Sequence, residues 1–100
     1  MGGYQKLFDL TGRKALVMGA ASGIGKASAE ALGDLGAEVY CADLDGVKAE
    51  ATAELIRTGG GRAHAARADA ASSSDLVGLI AAARQRLGRI DVAVTTPGTR

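Results

Sequence analysis

Lys14-Ala15-Leu16-Val17-Met18-Gly19-Ala20-Ala21-Ser22-Gly23-Ile24-Gly25 is the stretch that decides how this 100-residue sequence folds. Its first half is short and apolar with glycine directly behind it, the pattern of a strand buried on both faces. Its second half is glycine-rich and opens a run of helix formers from about Ile24 to Leu35, with Gly36 where a left-handed cap belongs. Working outward, Glu38-Val39-Tyr40-Cys41-Ala42-Asp43 reads as a second strand. Asp45 can cap a helix through about Arg57, in which Val47, Ala51 and Leu55 recur at steps of four, and Gly59-Gly60-Gly61 ends it. A weaker third strand spans Ala63 to Ala68, which is poor in branched residues. Ser72 with Asp75 three residues on fits a capping box. The helix behind it shows Leu76, Ile80, Ala83 and Leu87 on one face and closes at Gly88, before a fourth strand from Ile90 to Thr95. Four strands alternating with three helices imply an α/β fold. Its sheet is parallel, with right-handed crossovers.

Composition removes several classes of protein. Leu, Ile, Val and Phe together number 21 and the net charge is +1, so a disordered polyelectrolyte is ruled out. With 12 basic and 11 acidic residues, no long-range field gathers nucleic acid or an anionic membrane. A single cysteine, Cys41, forms no internal disulfide and points to a reducing compartment. No apolar run approaches the roughly 20 residues of a membrane span, and the first residues lack a signal core, so a cytoplasmic location is expected. Alanine, at 21 residues, and glycine, at 15, favour close approach between elements over a core of large side chains.

The turn itself carries chemistry. A helix start has unpaired N–H groups and a partial positive charge, and glycines let a pyrophosphate approach the backbone. Gly19 would make the sharp exit from the strand, Gly23 would remove a side chain beneath the phosphates, and Gly25 would let the helix pack close to the sheet. A triphosphate loop fails on spacing, because Ala20 stands five residues before Gly25 and Ala27 follows Lys26. The glycines fall as Gly-x-x-x-Gly-x-Gly, not as the common Gly-x-Gly-x-x-Gly.

With that spacing, the stretch from Thr11 to Gly25 strongly resembles the opening of the short-chain dehydrogenases/reductases. The resemblance continues through Asp43, Arg67-Ala68-Asp69-Ala70 and Ile90-Asp91-Val92-Ala93-Val94, in the family's order. It implies a doubly wound, Rossmann-type fold with strand order 3-2-1-4 and pyridine-nucleotide oxidoreduction of alcohols and ketones, with homo-oligomerisation possible. Residues 1–100 would form a single NAD(P)-binding domain that stops before the catalytic region. Gly19, Ser22, Gly23, Ile24 and Gly25 would face the phosphates.

Asp43 lies 24 residues after Gly19, at the end of the second strand, where a carboxylate accepts from both adenosine ribose hydroxyls and repels a 2′-phosphate. The family's usual positions for a phosphate-binding base correspond to Ser22 and Leu44, both uncharged, so NAD is favoured over NADP. Lys26 and Arg67 keep some positive potential nearby. Asp69 resembles the family's adenine-contacting acid, with Ala70 adding a backbone N–H; the plainer reading is a loop acid capping a turn. Asp45 is a helix cap.

The sequence departs from the family at Met18, where threonine is usual, and at Thr95-Thr96-Pro97-Gly98, where Asn-Asn-Ala-Gly is usual. Met18 and Thr96 would be neighbours across strand ends, so the two changes would be paired. By the resemblance, Thr96 and Gly98 border the nicotinamide ribose. The family's catalytic tyrosine, with a lysine four residues on, has no counterpart. Tyr4 is followed at that distance by Phe8 and Tyr40 by Leu44, so no catalytic residue is assigned.

No metal site is assigned either: His64 is the only histidine and has no partner in sequence, and Cys41 reads as a small apolar strand residue. Arg84, Arg86 and Arg89 suit the end of the third helix. The leading expectation is therefore the NAD-binding portion of an oxidoreductase, inactive as this chain alone. A stand-alone, non-catalytic dinucleotide-binding or interaction module is the alternative, and the glycine spacing speaks against a methyltransferase.

Overall fold

A computed structural model describes residues 9–96. The strands are β1 (Lys14–Met18), β2 (Glu38–Asp43), β3 (Arg62–Arg67) and β4 (Val92–Thr95). The helices between them are α1 (Gly23–Asp34), α2 (Gly46–Thr58) and α3 (Ser73–Leu87). All strand pairs are parallel, as the alternation of elements predicts, and the sheet order is β3-β2-β1-β4, as the family resemblance implies.

Alternate strand residues feed two cores, as the period of two requires. Ala15, Val17, Val39 and Cys41 pack with Ala29 of α1 and with Ala53 and Ile56 of α2. Leu16, Met18, Tyr40 and Ala42 pack on the opposite face with Leu79, Ala83 and Leu87 of α3. The largest fully buried side chains are only Val17, Val39, Thr52 and Cys41, so alanine and glycine do set the distances between layers. Gly33 illustrates this: a Cβ there would stand 2.7 Å from a methyl of Ile56, so α1 and α2 touch almost backbone to side chain.

Two helix faces differ from the sequence pattern. α2 buries Ala49, Thr52, Ala53 and Ile56, whereas Val47, Ala51 and Leu55 face out, with Val47 84% exposed. Small residues let α2 lie close to α1 and the sheet, so volume overrides hydrophobicity in choosing the inner face. α3 buries Leu79 with Ala83 and Leu87, while Leu76 is half-buried and Ile80 is 45% exposed.

The capping box at Ser72 is half formed. The Asp75 amide donates to Ser72 Oγ at 3.2 Å, but the Asp75 carboxylate accepts from the Asp69 amide at 2.9 Å instead of from Ser72. Ser72 N–H donates to the Asp69 carbonyl at 3.0 Å. The acid thus serves the loop before α3, which matters for the cleft above it.

Candidate functional site

At the end of β1 the chain leaves the sheet through Gly19, whose φ of +95° is strained for any residue with a side chain. A Cβ there would run into Thr96 Oγ1, and a Cβ on the buried Gly25 would land on the Gly19 carbonyl oxygen. These two glycines therefore fix how closely the first turn of α1 rides over the strand end. Gly23 differs: its φ is +60° and a Cβ there meets nothing within 4 Å among the described residues. The space above Gly23 is open.

The turn is braced from three sides. Gly19 and Ala20 donate to the Ala42 carbonyl at 2.8 and 3.0 Å. From α2, the buried Thr52 hydroxyl donates to the Ala20 carbonyl at 2.9 Å. From the tip of β2, Asp43 Oδ2 accepts from Ala21 N–H at 3.0 Å, and its Oδ1 accepts from Asp45 N–H at 2.9 Å. A carboxylate offers about four acceptor sites, so each Asp43 oxygen keeps a lone pair for a ligand.

The three helix starts are unlike one another. α2 is capped by Asp45, which accepts from Lys48 N–H at 3.1 Å, and α3 by Ser72. In α1 the N-cap Ser22 makes no side-chain capping bond, and no acid stands in the first turn. The donors at the start of α1 are thus left without a side-chain acceptor and open on the cleft, where an anion would meet the positive end of the helix dipole.

That cleft, at the carboxyl ends of the strands, has a volume of about 1210 Å³, against roughly 300–1,000 Å³ for ordinary small-molecule pockets. It brings together Gly19, Ser22, Gly23 and Ile24 from the turn with Asp43 and Leu44 from β2. Asp69, Ala70 and Thr96 complete the set read from the sequence. Gly25 lies beneath this lining, and Pro97 and Gly98 fall outside the described residues. Met18, Asp45, Gly46, Val47 and Arg67 also border the cleft.

Asp69 caps a turn, the plainer of its sequence readings, at the rim of the cleft. Its Oδ1 accepts from Ala71 N–H at 2.9 Å. Sequence reasoning missed Asp75 and Thr52, which hold Asp69 and Ala20 in place. Serine and acid spacing signalled a helix cap at Asp75, but nothing local signals its reach back to Asp69, and Thr52 had no signal at all. Met18 and Thr96 are neighbours as expected: Thr96 N–H and Oγ1 donate to the Met18 carbonyl at 3.1 and 3.4 Å.

The remaining candidates lie away from the cleft. His64 Nε2 is 2.7 Å from Glu38 Oε2, and Arg86 Nε donates to His64 Nδ1 at 3.3 Å, so the ring ties β3 to β2 and α3. Tyr40 is buried in β2 with its ring centroid 6.1 Å from that of His64. Tyr4 is outside the described residues. Burial pushes the Cys41 thiol up to about 11, with Arg57 opposing and Glu50 assisting, so it is a poor nucleophile. Arg89 donates to Asp91 at 3.0 Å and to the Gly12 carbonyl at 2.7 Å, so it works as a brace at the sheet's other end. No described helix is long and apolar enough to cross a membrane.

Known proteins share this arrangement. An uncharacterized oxidoreductase of Methylorubrum extorquens is 42% identical over 92 residues, covering 89% of this chain and 36% of that protein. Glucose 1-dehydrogenase 2 of Bacillus subtilis is 38% identical over 93 residues, covering 90% of this chain and 35% of that protein. A solved 7α-hydroxysteroid dehydrogenase, complexed with NADH and 7-oxo glycochenodeoxycholic acid, superposes with a TM-score of 0.84 at 34% identity. That match covers 86% of this chain and 34% of that one, so the chain spans about a third of its relatives' length. Residues 13–100 match the short chain dehydrogenase family. A glycine turn of this spacing, at this place in a sheet of this order, belongs to a known lineage, and the chain is a member of the short-chain dehydrogenase family.

Proposed function

We propose that the cleft binds the adenosine and pyrophosphate of NAD(H), and that the chain is the cofactor-binding portion of an oxidoreductase acting on alcohols or ketones. The observation that carries this reading is the start of α1, the one helix start among the described residues without a side-chain cap, open on the cleft that Asp43 also lines. The residues present fit such a group: open space above Gly23, donors at the helix start, and acceptor capacity left on Asp43. The neighbour solved with NADH supports a nicotinamide dinucleotide.

In this reading Gly19, Gly23, Ile24 and the Ser22 backbone receive the diphosphate, and Asp43 accepts from the ribose hydroxyls beside Leu44. Asp69 and Ala70 face the adenine, and Thr96 borders the other ribose. When bound, the nicotinamide supplies hydride chemistry. This chain's residues bind and orient it, and neither of its tyrosines is followed four residues on by lysine, so the chain alone is expected not to turn over.

Titration calorimetry on the 100-residue chain with NAD tests the binding, and incubation with NAD and a panel of secondary alcohols tests the inactivity. Binding without turnover is the expected result. No heat with NAD, or measurable NADH formation, overturns the corresponding half of the reading.

A further inference from the structure

A basic side chain stands in register with Asp43 at the mouth of the cleft. Arg67 ends β3 in direct register with Asp43 at the end of β2, so the two Cα atoms are parallel-sheet partners at the cleft mouth. Its stem lies against the start of α2, where a Cβ on Gly46 would stand 3.0 Å from Arg67 Cβ. The residue is exposed and lines the cleft, and among the described residues its guanidinium makes no hydrogen bond or ion pair. The other basic side chains at this sheet are engaged: Lys14 with Glu38 at 2.7 Å, Arg57 with Glu50 at 3.1 Å and Arg86 with His64 at 3.3 Å.

We propose that Arg67 sets the discrimination between dinucleotides with and without a phosphate on the adenosine ribose, so that the chain also accepts NADP. The inference rests on the dinucleotide reading of the cleft given above. Asp43 alone would repel a dianionic 2′-phosphate, but a free guanidinium one strand away supplies a planar, charged donor set matched to phosphate oxygens. With a bare hydroxyl on the ribose, Arg67 has no anion to pair with there. Its contribution therefore belongs to the phosphorylated cofactor alone, which separates it from a general effect on folding or on the diphosphate site.

Calorimetry on the intact chain with NAD and NADP, comparing wild type, Arg67→Gln and Arg62→Gln, tests the assignment. Wild type binds both, NAD more tightly. Arg67→Gln weakens NADP about tenfold, the order of one charge-assisted contact, and leaves NAD within about twofold. Arg62→Gln removes the same charge from the far end of β3, roughly 16 Å away along the strand, and leaves the ratio unchanged. An unchanged NADP to NAD ratio in Arg67→Gln, an equal weakening of both cofactors, or a like shift in Arg62→Gln overturns the assignment while leaving the cofactor reading intact. No binding of either dinucleotide to wild type overturns both.

Discussion

Asp43 at the tip of β2 holds the amide of Ala21 in the glycine-rich turn, Oδ2 to N at 3.0 Å, so one carboxylate joins the strand proposed to meet the ribose to the turn proposed to meet the phosphates. Its other oxygen holds Asp45 N–H at 2.9 Å, just ahead of α2. The side chain is therefore a structural tie before any ligand arrives. It orders both rims of the cleft, and the affinity it confers includes this preorganisation.

Asp43→Asn separates those contributions. The amide keeps the shape but offers one acceptor oxygen where the carboxylate has two, so one of the two backbone ties is lost. We expect NAD affinity to fall by about 10- to 100-fold, the range of a charged hydrogen bond of about 1.5–3 kcal/mol. Calorimetry with NAD measures it. Affinity within twofold of wild type would show that the carboxylate meets no part of the cofactor.

Gly25→Ala is expected to damage the turn more than any other single methyl. The added carbon lands on the Gly19 carbonyl, a backbone atom that cannot rotate away, so α1 must lift from the end of β1. A loss of several kcal/mol is expected, beyond the roughly 1–3 kcal/mol usual for overpacking. Gly23→Ala has open space instead and carries only the strain of its φ of +60°, about 1–2 kcal/mol. Urea unfolding of the two variants should therefore rank Gly25→Ala well below Gly23→Ala, and the reverse order would contradict the close approach described here.

Glu38 gives the fold an acid limb. Burial raises its pKa, but the His64 hydrogen bond and the Lys14 partner outweigh it, with Arg62 assisting, and the carboxyl is lowered from 4.5 to about 2. A folded-state pKa below the unfolded one stabilises above the unfolded value, and the gain is lost as pH falls through the folded one. The contribution, on the order of 2–3 kcal/mol, is thus full above about pH 5 and fades towards pH 2. Glu38→Gln should lower the urea midpoint at pH 7 and flatten its fall between pH 5 and 2. Parallel wild-type and variant curves across that range would refute the role.

The strands and most of the cleft rim were legible in the sequence because each rests on a local signal, an apolar run, a glycine break or an acid at a strand end, whereas the strand order came only with the family resemblance. Helix facing was not. Val47, Ala51 and Leu55 form a regular stripe that the fold leaves outside, because the mostly small Ala49, Thr52 and Ala53, with Ile56, form the face that packs inward. Thr52 and Asp75 brace the site through contacts to Ala20 and Asp69 that no periodicity encodes. Arg67 was visible only as nearby charge, and its freedom and its register with Asp43 needed the sheet.

Thr52→Val removes a brace and keeps the volume. The buried hydroxyl, 1% exposed, is the side-chain donor to the Ala20 carbonyl, so its loss leaves that carbonyl without this partner behind the turn. A cost of about 1–3 kcal/mol in urea unfolding is expected. NAD affinity should weaken as well, because the turn carrying Ala20 and Ala21 is less well held. A stability loss with wild-type affinity would confine Thr52 to the core.

Met18→Thr restores the residue usual in the family and tests whether the departures at 18 and 95–98 are coupled through a side chain. Thr96 N–H and Oγ1 both reach the Met18 carbonyl, which any residue at 18 supplies, so the link across β1 and β4 does not depend on that side chain. Met18 itself is 5% exposed and packs with Tyr40, Ala68 and Leu79. Threonine there would forfeit apolar contact and bury a hydroxyl, costing about 1–3 kcal/mol. Stability should therefore drop while NAD affinity stays within about threefold. A large gain in affinity from Met18→Thr alone would show that position 18 limits cofactor binding by itself and that the changes at the two strand ends are independent.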